Sequence, residues 1–414
     1  MSLVHMTDII NHAHRHNYAV GAFGVYNQDF LEGVMQAAEN SRAPVILNLI
    51  ESHFSVHDFD LFVPAVVAVA RRATIPVAIN FDHGTSQARA EHAISAGCNA
   101  VMVDTSMLHF SENLRLTRDI AAMAHACGVT VEGELGYVPG VEGESAEEHP
   151  GELSYTSAVE AKAFVERTRV DCLAVSVGTI HGRMKGTPKL DYNRLDKIRE
   201  AVDVPLVIHG GTGLSDEQFR RLISHGVSKI NYYTGLADVA GQRVRKNAAA
   251  SQSDDYSTLF SGVSTVVREE TERCIRIWGS GGRAAEVLAH CRPWQEVERI
   301  VLYKASSELS DAEISSIMLE GRESMKAIPG VRNIRFGRAL QQDGKYQYCW
   351  LVTLNSQAAV EVYQNHLAQQ SFSHKIFLYV ATDLLTLDFG DIEGAPPKPV
   401  TLGTKHLARA DAER

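Results

Sequence analysis

Three histidines each close an apolar run and precede a glycine. They are His83 in Ile79-Asn80-Phe81-Asp82-His83-Gly84, His181 in Val177-Gly178-Thr179-Ile180-His181-Gly182, and His209 in Leu206-Val207-Ile208-His209-Gly210-Gly211. Taken singly, a glycine-flanked histidine is ordinarily a strand cap bonded to backbone. Three imidazoles brought together are neutral nitrogen donors suited to zinc, and three protein ligands leave one position of the ion open for catalysis. An open divalent ion acts as a Lewis acid. It can stabilise the negative charge that builds on a carbonyl oxygen when an adjacent C–C bond is cleaved, with no need for a Schiff-base lysine.

The positioning elements follow from apolar periodicity. Short apolar runs occur at 19–23, 45–49, 77–81, 100–103, 129–132, 172–177, 206–208 and 229–231, and helical spacing at 29–41, 87–95, 111–127, 157–167, 192–201 and 216–225. This alternation predicts a (β/α)8 TIM barrel, whose C-terminal mouth would gather the histidines. A doubly wound open sheet shows the same local signals, so periodicity alone leaves the topology open. Ser215 before Asp216-Glu217-Gln218 reads as a helix N-cap, and Pro76 and Pro205 stand at strand entrances. Residues 254–288 read as one or two closing helices. Beyond them the order changes to β-α-β-β-α-β, with strands at 298–304, 331–338, 346–354 and 375–382 and helices at 311–328 and 357–369. The expected organisation is a barrel over 1–288, a small α+β ferredoxin-like domain over 297–392 and an extended tail over 393–414.

Composition narrows the function. The chain of 414 residues is 45% apolar and 22% charged, enough for a sizeable core. Its formal net charge of −10 disfavours partners that are nucleic acids or anionic membranes. No apolar run approaches the ~20 residues needed to span a bilayer, and the N-terminus lacks the pattern of a signal peptide. The six scattered cysteines read as reduced thiols, so a cytoplasmic location is expected.

Ordered segments carry a family resemblance. Phe81-Asp82-His83-Gly84, Val131-Glu132-Gly133-Glu134-Leu135-Gly136, Val177 to Gly182, Lys185-Gly186-Thr187-Pro188-Lys189-Leu190-Asp191, His209-Gly210-Gly211-Thr212-Gly213 and Gly279-Ser280 span the first ~285 residues. Together they resemble the class II, zinc-dependent, fructose- or tagatose-bisphosphate aldolases. The C-terminal part resembles a stress-responsive dimeric α/β-barrel (Dabb) module, through Val301-Leu302-Tyr303-Lys304, Ile328-Pro329-Gly330-Val331 and Tyr363-Gln364-Asn365-His366.

The resemblance implies His83, His181 and His209 as ligands of one Zn2+ per subunit, with Glu134 near an alternative metal position. It implies Asp82 as the acid/base at the cleaved hydroxyl, although residues adjacent on a strand point to opposite faces. The other role open to Asp82 is to fix a histidine tautomer. Asp104 would orient a ligand histidine or cap a helix, and Glu132 and Glu134 could form a buried structural pair. A mobile loop glutamate would move the substrate's carbon-bound proton, with Glu142 and Glu144 as the candidates; a solvated surface role is open for each. Gly182, Lys185, Gly210, Gly211, Thr212, Asn231, Tyr233 and Thr234 fall where substrate and phosphate contacts are implied, along with a monovalent cation. The glycine turn before Ser215 suits an anion.

Three positions depart from the family pattern. Gly24 stands where an amide side chain is usual, Ile50-Glu51 where a serine or threonine follows the second strand, and Tyr233 where an aspartate helps hold substrate. These changes surround the ligand rather than the metal. The leading expectation is therefore an aldolase that cleaves a phosphorylated hydroxy-ketone through a zinc-stabilised enediolate, on a substrate other than fructose 1,6-bisphosphate. The alternatives are a metal-enolate enzyme for an unphosphorylated substrate, and a non-catalytic scaffold assembled by the C-terminal domain. A homodimer or higher homo-oligomer is expected from that domain, whose Tyr363 and His366 could bind a ligand or serve structure. Tyr346, Tyr348 and Trp350 would share one strand face as core or interface.

Overall fold

Eight β-rich runs alternate with helices whose N-termini carry their own caps. In the computed structural model, which describes residues 2–140, 154–183, 188–250, 255–341, 343–374 and 378–390, the runs close into a barrel in sequence order. The strands are β1 (Val20–Gly24), β2 (Val45–Ile50), β3 (Val77–Gly84), β4 (Ala100–Val103), β5 (Thr130–Leu135), β6 (Cys172–Val175), β7 (Leu206–Ile208) and β8 (Val227–Tyr232). All eight pairings are parallel, and β1 closes on β8 through Ala22↔Asn231.

The helices of this part are α1 (Met6–Arg15), α2 (Gln28–Ser41), α3 (Phe59–Arg72), α4 (Gln87–Ala96), α5 (Phe110–Ala126), α6 (Ala158–Thr168), α7 (Tyr192–Ala201), α8 (Asp216–Ser224), α9 (Thr234–Ala250), α10 (Tyr256–Phe260), α11 (Val263–Trp278) and α12 (Ala284–Leu288). Asn27, Asp58, Ser86, Ser157 and Asp191 accept a first-turn backbone N–H, and Ser215 forms a reciprocal capping box with Gln218. The spacing analysis had not singled out α1, α3 or α9.

The barrel's lower interior is built from small and branched side chains, Val20, Ala22, Ile46, Ala78, Ala100, Ala174 and Val207, and is plugged by Met6, Ile9, Ile10 and Ala13 of α1. The plug leaves the C-terminal mouth as the end where polar side chains can collect.

A four-stranded antiparallel sheet follows, in the order β10-β11-β9-β12, with β9 (Val297–Ala305), β10 (Val331–Arg338), β11 (Tyr348–Leu354) and β12 (Ala381–Gly390). It carries α13 (Asp311–Met325), α14 (Ala358–Asn365), α15 (Leu367–Phe372) and the short α16 (Leu378–Val380). Two expectations are corrected. The last strand is not 375–382: residues 378–380 are helical and the strand runs from Ala381, where Asp383 and Asp388 interrupt the apolar pattern that normally marks one. The helix expected at 357–369 breaks at His366, whose ring accepts the backbone N–H of Ala368 and caps α15. Tyr363 is buried, Trp350 stacks on Phe336 and Phe372, and Tyr348 stacks on Tyr303, so Trp350 and Tyr348 of the aromatic stripe pack into the core while Tyr346 stays with Lys345 at its edge. The sheet docks on the barrel through Ser356 Oγ to Cys127 O (2.6 Å) and Arg332 to Ala96 O (2.9 Å).

Candidate active site at the barrel mouth

The three histidines converge. Ring centroids lie 4.9 Å apart for His83 and His181, 4.9 Å for His83 and His209, and 5.6 Å for His181 and His209. One nitrogen from each lies within 4.8 Å of the others. His209 is fully buried at the end of β7 and His181 nearly so after β6. His83 adopts φ 51°, a left-handed conformation uncommon for a side-chain-bearing residue. That turn explains how Asp82 and His83, adjacent on β3, both reach the mouth: strict alternation fails where the strand ends.

Each ring is held by its other nitrogen. His83 Nδ1 lies 3.0 Å from Asp104 Oδ2, His181 Nδ1 lies 3.0 Å from the carbonyl of Val138, and His209 Nε2 lies 2.7 Å from Glu132 Oε1. All three partners are acceptors, so these nitrogens must donate. In the neutral rings the lone pairs then sit on Nε2 of His83, Nε2 of His181 and Nδ1 of His209, the arrangement that metal-binding histidines require. Buried His181 Nε2, His209 Nδ1 and Glu134 Oε2 find no hydrogen-bond partner among the described residues. Glu134 Oε2 faces His209 Nδ1 at 3.2 Å without hydrogen-bond alignment. Orphaned donor atoms of this kind fit a divalent cation.

The electrostatics divide the rings. For His83 burial opposes charge, but Asp82 and the hydrogen bond to Asp104 outweigh it and lift the pKa to about 9. For His209 burial is likewise outweighed, by Glu134 and Glu132, and the pKa rises. For His181 burial and the two neighbouring rings win, and the pKa falls to about 4. Asp104 is held well below the usual carboxylate range: burial opposes this, but the His83 and Ser106 contacts dominate. Asp104 also accepts from the backbone and hydroxyl of Ser106, closing the turn after β4 rather than capping α5.

Beneath the rings lies a network that sequence reasoning had missed. Asp82 Oδ2 accepts from Asn48 Nδ2 (2.6 Å) and Asn231 Nδ2 (3.0 Å), and Asn80 Nδ2 donates to Asn48 Oδ1 (2.8 Å). Lys229 Nζ pairs with Glu132 Oε2 at 2.7 Å, both fully buried, and donates to Asn231 Oδ1 at 2.5 Å. Asn231 is thus occupied in holding Asp82 and Lys229. The available signal was polar side chains, Asn48, Asn80 and Lys229, inside otherwise apolar strands, where a buried polar group demands a partner.

The loops after β7 and β8 meet. Gly210 has φ 70°, and a β-carbon there would collide with the carbonyl of Ile180. Thr212 Oγ1 accepts the N–H of Gly235 in the first turn of α9, which begins at Thr234 (2.9 Å). Gly182 turns with φ 77°. Glu51 is tied to Arg89 Nε and Thr85 N, both at 2.5 Å. Tyr233 lies buried in an aromatic wall with Tyr26, Phe30 and His53, its ring 4.3 Å from His53. His53, in the 3-10 turn Glu51–Ser55, is also buried, with neither ring nitrogen bonded among the described residues. Glu142, Glu144 and Lys185 lie outside the described residues.

A closed parallel barrel that gathers three imidazoles and the carboxylates of Asp82, Asp104 and Glu134 at its C-terminal mouth belongs to the class built for metal-assisted chemistry. The comparisons narrow this class. Residues 4–283 match the family described as fructose-bisphosphate aldolase class-II, and residues 297–391 match the stress responsive A/B barrel domain. A fructose-bisphosphate aldolase of Geobacillus stearothermophilus is 38% identical over 290 residues, 69% of this chain and 100% of its own length. The protein YdjI of Escherichia coli K12 is 37% identical over 274 residues, 66% of this chain and 96% of its own. The crystal structure of the YdjI aldolase superposes with a TM-score of 0.61 at 35% identity, over 68% of this chain and 99% of that one. The chain belongs to the class II fructose-bisphosphate aldolase family and carries a C-terminal Dabb domain. It is a metal-dependent aldolase, an aldehyde-lyase. Among the described residues no helix is long and apolar enough to cross a membrane.

Proposed function

We propose that this aldolase reversibly cleaves a phosphorylated hydroxy-ketone other than fructose 1,6-bisphosphate. The observation that carries the metal half of this reading is the tautomer pattern: three rings, each donating away from a common point, with orphaned donor atoms turned toward it. His83 Nε2, His181 Nε2 and His209 Nδ1 would hold one Zn2+, with Glu134 Oε2 beside them. When bound, the ion supplies a Lewis acid for the substrate's carbonyl oxygen.

The remaining work falls to the chain's own groups. Asp82 holds and returns the proton of the hydroxyl at the cleaved bond, while the Asn48 and Asn231 amides fix its carboxylate. Asp104, Val138 O and Glu132 hold the rings in orientation. Glu142 or Glu144 would move the carbon-bound proton. Gly182, Lys185, Gly210, Gly211, Thr212 and Thr234 would receive the phosphate, supported by the left-handed glycine turn and the start of α9 nearby, together with a monovalent cation. Tyr233 and Gly24 replace polar groups of the family pattern with an aromatic wall, which is the reason to look beyond fructose 1,6-bisphosphate.

We propose the domain limits 1–288 and 297–392, with a tail over 393–414, which lies outside the described residues. Leu384, Leu385, Leu387 and Phe389 on β12 are 42%, 39%, 43% and 50% exposed, which supports pairing of two copies through this sheet. The test is a panel of hydroxy-ketones with and without phosphate, assayed for cleavage before and after chelation. Cleavage of a mono-phosphorylated ketone that is lost on chelation and restored by Zn2+ supports the reading. Undiminished cleavage after complete metal removal overturns it, and so does a preference for unphosphorylated ketones. His209→Ala is expected to lose both the metal and turnover.

A further inference from the structure

The floor of the barrel, opposite the mouth, carries a second group of imidazoles. His12 lies on α1 and His16 directly follows it, one helical turn apart. Glu286 on α12 and His290 just beyond have the same i, i+4 spacing, which places each pair on one helix face. The His12 and His16 rings stack with centroids 4.0 Å apart, and the His290 ring is 5.8 Å from His12. Glu286 Oε1 stands 3.3 Å from His12 Nε2 and 3.6 Å from His16 Nε2.

The other ring nitrogens are already occupied. His16 Nδ1 bonds the carbonyl of His12 (2.8 Å) and His290 Nδ1 bonds the carbonyl of Glu286 (2.8 Å). A carbonyl only accepts, so both Nδ1 atoms donate, and the lone pairs of the neutral rings lie on Nε2. His12 Nδ1 is 2.9 Å from the hydroxyl of Tyr18, which can accept in the same way. His12 is 1% exposed, and its Nε2 has no hydrogen-bond partner among the described residues. The lone pair of His12 Nε2 and the carboxylate oxygen it faces repel unless a proton or a cation lies between them; His16 stacks alongside, and a turn of its partly exposed ring out of the stack brings its Nε2 to the same ion. Around a tetrahedral zinc with bonds of 2.0–2.1 Å, ligand atoms sit about 3.3 Å from each other. The two nitrogen-to-oxygen separations match that spacing. Arg283 Nη1 takes the other carboxylate oxygen of Glu286 at 3.4 Å, leaving Oε1 to the histidines.

We propose that His12 Nε2, His16 Nε2 and Glu286 Oε1 form a second divalent-metal site, with His290 beside it as the candidate fourth ligand. Imidazole with carboxylate selects an ion of the zinc class. The site joins the helix that plugs the barrel to the helix that closes it, so its role is to clamp the floor rather than to turn over substrate. The competing arrangement is an imidazolium–carboxylate pair with a proton in the same place.

The full-length protein, stripped with chelator and dialysed, is titrated with Zn2+, and the equivalents retained at micromolar free metal are counted by elemental analysis. His16→Ala and Glu286→Gln, both at partly exposed positions far from the mouth, are expected to retain one equivalent fewer than the parent protein while keeping its aldolase turnover. In a His209→Ala background, Zn2+ is expected to raise the melting temperature, and adding His16→Ala should remove that rise. Equal equivalents in the parent and both variants overturn the proposal. Because the count is a difference, it stands whether or not the mouth holds a metal.

Discussion

A β-carbon on Gly24 would stand 2.8 Å from Cβ of Tyr233 and 2.8 Å from its ring. Two of the residues at which this chain leaves the family pattern, one ending β1 and one directly after β8, therefore occupy one space, and the larger requires the smaller. Gly24→Ala is expected to overpack this wall and destabilise the protein by about 1–3 kcal/mol. Combined with Tyr233→Ala, the same substitution should cost less than the sum of the two single changes. Denaturant midpoints of the four proteins check this, and strict additivity would count against a shared space.

Asp82 is a buried carboxylate at the mouth, held by two amides, with Oδ1 unbonded among the described residues. Asp82→Asn preserves its shape but removes its proton chemistry. Turnover is expected to fall by about 10²–10⁴, with metal content and folding unchanged. Elemental analysis beside steady-state kinetics separates this from an ordinary loss of metal.

Lys229 and Glu132 form an ion pair in the barrel interior, with burial opposing both charges and each holding the other ionised. Lys229→Met strands a carboxylate away from water and is expected to cost about 3–5 kcal/mol. The double variant Lys229→Met/Glu132→Gln should recover part of this in chemical melts of the metal-free protein. It should still bind zinc less tightly, because Glu132 also orients His209.

Zinc loading should be coupled to protons. His83, with its pKa lifted to about 9, is protonated at pH 7 in the metal-free protein, the raised pKa of His209 acts in the same direction, and His181, near 4, is neutral. Only neutral rings bind a metal, so uptake at pH 7 should release protons at the mouth, that of His83 among them. The apparent affinity then rises with pH, and the release diminishes above pH 9 as His83 loses its proton unaided. Calorimetry in buffers of different ionisation enthalpy, on a His16→Ala protein so that the floor does not contribute, reads the number directly. Release of no protons at pH 7 would contradict the charge state of the rings.

Much of the barrel was legible in the chain because local signals and global fold agree. Four-residue apolar runs such as Ala100–Val103 read as strands, and Ser215 with Gln218 marked a helix start that forms as a full capping box. The trio of histidines was legible because the residue before each glycine at a strand end is where a barrel exposes its chemistry. The last strand was not, because β12 is an edge strand whose apolar side chains lie exposed and whose run is broken by Asp383 and Asp388, so it lacks the pattern of a strand set into the core. The helix α1 has Met6, Ile9, Ile10 and Ala13 at helical spacing, but that they plug the barrel is a contact with residues remote in sequence.

By itself, the sequence determined the alternation of strands and helices through the barrel, the residues able to bind metal at the mouth and the departures from the family pattern around it, since these rest on residue type and short spacing. Only the tertiary structure decided which nitrogen of each ring is free, that Gly24 and Tyr233 share one space, that Lys229 sustains Glu132, and that His12 and His16 meet Glu286 some 270 residues away in the chain. Those are contacts between residues remote in sequence. Their energy depends on distance and burial, which no local pattern encodes.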